Sequence, residues 1–525
     1  MQLLPIGRQT LERLRFDDCL YIDKTMYAEQ IMQHGGSFFL SRPRRFGKSL
    51  FLSTLMEMAK GKRALFANTH VDKTWNWERK YPVIHLSFAG MVFQDLGLKR
   101  AIVEELKLCA KEHSFHLETD SAKLYFKSLI LHLHETQGNV VILIDEYDKP
   151  LLEYIEDYQE EKAKENQRIM KEFYSVLKDC EEYLHLTFIT GVTKFAQVSI
   201  FSDLNHLKDI TFNENFATAF GYTQEEVEDN FAPYLEAFLR KHKEFTLETL
   251  LPKIKEWYNG FSWNGKDTVY NPFGLLVFFD EQRFVNSWFN TGTPTFLIKS
   301  ILDGRIFQFE NTTINLSNTN FRSFKQLDTK VLMLQAGYLT LKSLDVNNNA
   351  VLDYPNNEIR DSMYCYLLDE IHGTNAVQTV PVTDLSAAFR EKNLLKIERI
   401  IKHVFDDLPY DVYTHQSLKQ TEGFYHGIVH ILFKYLGVYA KSEVHTTQGR
   451  ADSVVETDTH IFIFEFKIDK TAAAALQQIK TNNYVSKYKN LLASSGLGVK
   501  IIVCIGVNFN TKNRLMDDFL VEEGF

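Results

Sequence analysis

Ser37-Phe38-Phe39-Leu40 passes through Ser41 into Arg42-Pro43-Arg44-Arg45-Phe46-Gly47-Lys48-Ser49. The first four residues read as a short apolar strand, and Leu50 to Met58 carries the apolar spacing of a helix. Strand, loop, Gly-Lys-Ser and helix follow one another as in a phosphate-binding loop, where backbone N–H groups and a helix N-terminus hold phosphates. In that arrangement the backbone from Arg45 and Phe46 through Gly47 to Leu50 surrounds the phosphates. Lys48 reaches the β- and γ-phosphates, and Ser49 ligates Mg²⁺. Arg42 stands where the usual pattern has its first glycine. A Gly-Lys-Ser triplet is short enough to recur by chance, so the loop needs a partner.

That partner is Val140-Val141-Ile142-Leu143-Ile144-Asp145-Glu146. A continuous apolar run ending in acids reads as a central parallel strand buried on both faces. Its C-terminal end lies at the edge where α/β sheets bind ligands. There Asp145 can complete the Mg²⁺ shell, and Glu146 can activate water for attack on a γ-phosphate. A third strand, Leu186 to Val192, places Thr190 where it would sense that phosphate. The expected ligand of this half is ATP with Mg²⁺.

A second constellation lies near the C-terminus. Asp452 precedes the strand His460-Ile461-Phe462-Ile463-Phe464-Glu465-Phe466-Lys467. Alternation puts Glu465 and Lys467 on one face of that strand. Asp452 and Glu465 can then share Mg²⁺ or Mn²⁺, since carboxylate oxygens suit hard divalent cations. Phe466 offers its carbonyl as a further ligand, and Glu422 contributes through water. Lys467 would orient the attacking water or offset charge on a scissile phosphate. Gln478 falls on the following helix, Ala472 to Tyr484. Two acids and a lysine at strand ends are common surface decoration; the order of the whole set makes the reading more specific.

That order, helix acid, Gly449-Arg450-Ala451-Asp452, Glu465-Phe466-Lys467 and helix Gln478, resembles the PD-(D/E)XK nuclease superfamily over about residues 405–525. Ala451 replaces the usual proline. With the N-terminal motifs, nearly the whole chain resembles the AAA-ATPase-like family that bacteria carry fused to such a nuclease domain. Leu4-Pro5-Ile6-Gly7, Tyr21-Ile22-Asp23-Lys24-Thr25, Asp145-Glu146-Tyr147-Asp148-Lys149-Pro150, Trp257-Tyr258-Asn259-Gly260-Phe261 and Tyr270-Asn271-Pro272 carry the resemblance. Arg42 in place of the first glycine is a feature of that family. The chain reads as α/β in four parts, the first and last as the resemblance implies. Residues 1–215 form a P-loop ATPase core with a parallel sheet, and 216–300 a helical lid. Residues 301–404 form a mixed or winged-helix-like connector, and 405–525 an α/β restriction-endonuclease-like domain.

Bulk properties narrow the function further. At 525 residues the chain has ample core for several domains. Its net charge of −9 argues against a protein that coats nucleic acid indiscriminately. Residues 405–525 hold 12 Lys/Arg against 14 Asp/Glu, which leaves Lys480, Lys487 and Lys489 as local contacts for a phosphate backbone or as a solvated helix face. Five cysteines without Cys-x-x-Cys spacing read as reduced thiols of a cytoplasmic protein. No apolar run reaches the length of a membrane span.

Between the motifs, Tyr21 to Thr25 is expected near the adenine, and Glu153 to Tyr183 reads as one long charged helix. Thr223 and Glu226 form a capping box at a helix start. Apolar alternation from Val331 to Leu341 predicts strands, and helices follow over Ser362–Ile371 and Leu385–Val404. The leading expectation is an ATP-hydrolysing protein whose nucleotide state gates a metal-dependent nuclease acting on DNA or RNA, with defence or repair as settings. Its alternative is a nucleotide-dependent switch whose nuclease fold is an inactive scaffold. A DNA-translocating motor needs an arginine finger, and none is assigned among Arg42, Arg44 and Arg45. A second copy or another protein as partner is compatible with the sequence.

Overall fold

The computed structural model describes residues 1–156, 159–194, 200–201, 204, 207–288, 297–298, 300–301, 309–318, 328–372, 382–406, 429, 433, 439–446, 449–486, 488, 500–510, 512 and 515–523. They fall into two compact units. One comprises Met1–Phe296 and Phe309–Ile359, the other Leu297–Gln308 and Arg360–Phe525. Residues 309–359 of the expected connector thus group with the first unit and residues 360–404 with the second.

The first unit is built on five parallel strands, β1 (Gly36–Ser41), β2 (Val83–Ser87), β3 (Val140–Asp145), β4 (Leu184–Gly191) and β5 (Lys208–Asp209), in the order β2-β3-β4-β1-β5. All six residues of β3 are buried, as its β-branched run requires with packing on both faces. One face packs on the helices Leu98–Lys111, Ala122–Gln137 and Glu160–Asp179 through Ile102, Phe126 and Phe173. Four further helices, Gln224–Asn230, Ala232–Lys241, Leu247–Tyr258 and Pro272–Glu281, share a separate core around Phe231, Ile254 and Phe278. The first of them starts at a capping box: Glu226 N–H donates to Thr223 Oγ1 (3.2 Å) and Thr223 N–H to Glu226 Oε2 (2.8 Å).

Three local expectations change. Glu153 to Tyr183 is not one helix: one ends at Glu156 and the next begins at Glu160. The Gln159 N–H returns to the Tyr154 carbonyl (2.8 Å), five residues back, which interrupts the ladder. Val331 to Ala336 is helical, in Thr329–Ala336, because Asp328 caps its start and Gly337, at φ +86°, ends it. A short apolar run buried all round has no period to distinguish helix from strand. Leu385–Val404 is two helices, Val382–Arg390 and Leu394–Asp406, separated at Lys392 with φ +54°. Strands β6 (Thr312–Asn315), β7 (Thr340–Leu344) and β8 (Asn349–Asp353) form an antiparallel sheet in the order β6-β8-β7.

Glu358 is wholly buried in the first unit. Its Oε1 accepts the Ser287 N–H and hydroxyl (both 2.7 Å) and the Trp288 N–H (3.1 Å). Burial outweighs these bonds and raises its pKa to about 7. The unfolded chain releases this proton at lower pH than the fold does. Stability is therefore undiminished below the ordinary glutamate range, falls as pH rises through it to about 7, and stays reduced above. Glu358→Gln retains an acceptor and removes the charge. Between about pH 4.5 and about pH 8 the wild type should lose on the order of 3 kcal/mol more stability than the variant. Parallel stability–pH curves from urea unfolding would refute this assignment.

The second unit carries a mixed five-stranded sheet, β9 (Tyr439–Thr446), β10 (Gly449–Glu456), β11 (His460–Ile468), β12 (Ile501–Asn510) and β13 (Leu515–Glu523), in the order β13-β12-β11-β10-β9. Only β11 and β12 run parallel. The two faces of β11 follow its alternation. Ile461 and Ile463 pack with Leu476 and Ile479 of the helix Ala472–Thr481. Phe462 and Phe464 meet Phe389 at 5.1 and 6.1 Å between ring centroids. Gly506 on β12 admits that helix, because a Cβ there would lie 2.2 Å from the Ala472 carbonyl oxygen.

Candidate functional sites

In the first unit, strand order assembles the site. Strand β4 lies between β1, which feeds the loop, and β3, which ends in Asp145. Gly47 takes φ +81°, a left-handed conformation that glycine adopts without a Cβ clash, and the helix Lys48–Ala59 starts directly after it. Lys48 is buried, and its Nζ donates to the carbonyls of Arg42 (2.9 Å) and Pro43 (2.8 Å). Burial lowers its pKa against the opposing charges of Asp145 and Glu146. Asp145 ties three elements together. Its Oδ2 accepts Ser49 Oγ (2.6 Å), and its Oδ1 accepts Thr190 Oγ1 (2.5 Å) and the Glu146 N–H (3.0 Å).

Glu146 follows at φ +51° and lines a cavity of about 420 Å³ with Arg45, Phe46, Gly47, Lys48, Ser49 and Leu50. Burial, then the charge of Asp145, raises the Glu146 pKa, while Lys48 opposes. The remaining wall includes Ile6, Leu14, Ile22, Phe51, Tyr222 and Phe273. Tyr21, Ile22 and Lys24 line the cavity. Asp23 instead binds Thr25 Oγ1 (2.7 Å) and the His70 N–H (2.6 Å). A phosphate-rich ligand with an apolar base suits this mixture of N–H groups, cations and hydrocarbon.

Two features of the loop were hidden in the sequence. Arg42, in place of the usual glycine, sends its guanidinium away from the cavity. It is fully buried, donates to Ser41 O (3.0 Å) and Thr211 O (2.6 Å), and lies 4.1 Å from the Trp263 ring centroid. Phe46 is likewise core, edge-on to Phe261 (4.9 Å) and Trp263 (5.1 Å). Phe273 also escaped the sequence reading. Its ring lies 4.6 Å under the Arg45 guanidinium, although more than 200 residues separate them.

In the second unit, β10 and β11 pair antiparallel through Ser453 and Phe464, so Asp452 stands one step on, opposite Glu465. Asp452 Oδ2 accepts the Phe466 N–H (2.8 Å), which holds its carboxylate at β11. Lys467 Nζ donates to Glu465 Oε1 (3.0 Å) and to the Phe466 carbonyl (3.1 Å). Glu465 and Lys467 are both buried. Burial, and next the Asp452 charge, drive the Glu465 pKa upward against the pull of Lys467. Glu465 Oε2 is buried with no hydrogen-bond partner among the described residues.

The structure thus brings Asp452, Glu465, Phe466 and Lys467 together at one place on the sheet. Gln478 Nε2 donates to Tyr484 Oη (3.5 Å). Glu422 lies outside the described residues, as do Lys487 and Lys489. Lys480 is paired with Glu522 at 2.7 Å. Among the described residues no group of three or more His, Cys, Asp or Glu side chains is placed to hold a metal ion. The paired carboxylates nevertheless fit a divalent cation: they are mutually repelling, and one buried oxygen lacks a donor. Sequence reasoning missed Asn508, which pairs in register with Lys467 on β12. Its Oδ1 accepts the Lys470 N–H (2.9 Å) and its Nδ2 donates to Asp517 Oδ1 (2.9 Å), which ties down the turn after Lys467.

Comparison with known proteins agrees with both geometries. Residues 5–201 match the family model described as AAA-ATPase-like, predicted AAA-ATPase. Residues 420–519 match the PD-(D/E)XK nuclease superfamily. A protein of Azotobacter chroococcum mcd 1, described as an uncharacterized protein in the vnfD 5′ region, is 35% identical over 532 residues. The match covers 99% of this chain and 98% of that protein. No helix among the described residues is long and apolar enough to cross a membrane.

Proposed function

We infer a function from the family to which this chain belongs, the AAA-ATPase-like proteins with a C-terminal PD-(D/E)XK nuclease superfamily domain. The first unit binds and hydrolyses ATP, and its nucleotide state governs a metal-dependent phosphodiesterase in the second, acting on DNA or RNA. The observation that carries the reading is the set Asp452, Glu465 and Lys467, with the carboxylates opposed across two strands and the ammonium bonded beside them.

At the cleavage site Asp452 and Glu465, with the Phe466 carbonyl, would hold Mg²⁺ or Mn²⁺. The cation would supply Lewis-acid charge at the scissile phosphate. Lys467 lies within reach of the same space, where its ammonium orients water and offsets charge developing on phosphate oxygens. Glu422, through water, and Gln478, against the substrate backbone, belong to the proposed site as supporting groups. At the nucleotide site Lys48 leaves its two carbonyls for the β- and γ-phosphates, and Ser49 and Asp145 hold the Mg²⁺. Glu146 accepts a proton from water, and Thr190 reports the γ-phosphate. The protein works in the cytoplasm, with defence or repair as its setting. A nuclease active without control is toxic, and a nucleotide-dependent element can hold it inactive.

The test is incubation of purified full-length protein with plasmid and single-stranded DNA, with and without ATP and with Mg²⁺ or Mn²⁺. Cleavage should require the divalent cation and change with ATP, and Lys48→Ala should abolish the ATP response without unfolding the second unit. Equal cleavage by wild type and Lys48→Ala under every nucleotide condition would remove the coupling. Nucleotide binding without cleavage of any substrate would favour a switch on an inactive nuclease scaffold.

A further inference from the structure

The turn from Asp469 to Thr471 joins β11 to the helix Ala472–Thr481, and β12 and β13 hold it at successive points. Asp469 takes φ +51°, and its N–H donates to the Phe509 carbonyl (2.9 Å). The Lys470 N–H donates to Asn508 Oδ1 (2.9 Å), and the Ala472 N–H to Asp518 Oδ2 (2.7 Å). Asn508 Nδ2 donates in turn to Asp517 Oδ1, whose Oδ2 accepts Asn510 Nδ2 (both 2.9 Å). Neighbouring carboxylates of β13 thus fix the turn, Asp518 directly and Asp517 through the Asn508 amide. That bridge is chemically restrictive. A backbone N–H only donates and a carboxylate only accepts, so the side chain between them must present an oxygen and an N–H group at once. Asparagine does so; alanine, leucine or aspartate would not. Parallel pairing also sets Asn508 beside Lys467, on the face of the sheet that carries Glu465. Both side chains are buried.

We propose that Asn508 is a positioning residue for phosphodiester cleavage: from its place beside Lys467, and through the turn it pins at Lys470, it keeps the Lys467 ammonium at Glu465. The inference rests on reading the second unit as a nuclease. A lysine carries its charge on a flexible four-carbon stem, so the ammonium stays where the surrounding chain confines it. With the turn released, the strand end that carries Lys467 loses its anchor, and the ammonium samples positions away from water and phosphate. A small displacement of a reacting group lowers rate. The proposed metal ligands are affected less, because Asp452, Glu465 and Phe466 precede the turn and Glu465 pairs with Gly506 rather than Asn508.

The experiment measures DNA cleavage and Mn²⁺ affinity of the full-length protein in a double-mutant cycle. Asn508→Ala should lower kcat by ~10- to 100-fold while Mn²⁺ affinity changes by less than ~3-fold. In a Lys467→Ala background the same substitution should cause no further loss, because no ammonium remains to be placed. A residue that only stabilised the fold would lower the rate equally in either background. Asn508→Asp should be as slow as Asn508→Ala, since two carboxylates then face each other. Adding Asp517→Asn should restore most of the rate: the carboxylate takes the Lys470 N–H, while the new amide donates to it and accepts from Asn510. Asp517→Ala, at an exposed position, probes the same brace if Asn508→Ala does not fold, and should lower kcat by ~10-fold. Unchanged kcat in Asn508→Ala, or in Asp517→Ala should the first variant not fold, overturns the assignment. So does an equal loss with and without Lys467. A wild type that cleaves no nucleic acid with any divalent cation overturns instead the nuclease reading beneath.

Discussion

Asp452→Ala should abolish metal-dependent DNA cleavage and weaken Mn²⁺ binding by more than ~100-fold, because it removes a carboxylate opposite Glu465 and leaves one acid for the cation. Lys467→Ala should separate these losses. Its ammonium bonds Glu465 Oε1 and the Phe466 carbonyl, and in the proposed reading it would act on water and phosphate rather than as a ligand. Cleavage should fall by ~100-fold or more while Mn²⁺ still binds. Gln478→Ala should cost far less, since its amide is spent on Tyr484. Calorimetric titration with Mn²⁺ and plasmid nicking read the two properties independently. Should Asp452→Ala cleave at the wild-type rate, the catalytic site lies elsewhere.

Lys48→Ala should eliminate measurable ATP binding. The buried ammonium, held between two loop carbonyls, is the cation aimed from the helix start, and its loss leaves the charge-assisted bonds to two phosphates unmade. Glu146→Gln should bind ATP normally and hydrolyse it ~100- to 10,000-fold more slowly, because an amide accepts no proton from water. Burial and the neighbouring Asp145 raise the Glu146 pKa, and the base works only when ionised. Hydrolysis by wild type should therefore rise with pH through a limb above the ordinary glutamate range. Turnover in Glu146→Gln that matches wild type would assign the base to another residue.

How far the chain could be read without coordinates depended on the distance over which each signal acts. The loop Arg42–Ser49, the strand ending in Asp145 and the Glu465-x-Lys467 alternation are local patterns, each contained within one element and its neighbour. The capping box at Thr223 and Glu226 is local as well, and it forms as expected. Val331 to Ala336 was misread because a buried helix and a buried strand share one apolar composition, and the caps that settle the matter sit outside the run.

By itself the sequence determined the α/β class, the chemistry-bearing strands and the identities of the acids and lysines, since alternation and loop chemistry act over a few residues. The tertiary structure alone decided which of these groups meet. Placement of β4 between β1 and β3 brings Thr190 to Asp145 across 45 residues of chain. Antiparallel pairing of β10 with β11 turns Asp452 toward Glu465. Packing of the loop against Trp263 made Arg42 a structural residue, and that of Pro272–Glu281 set Phe273 against Arg45. Those contacts span up to more than 200 residues. No local pattern encodes them, because they arise only when separate elements bury their apolar faces against one another.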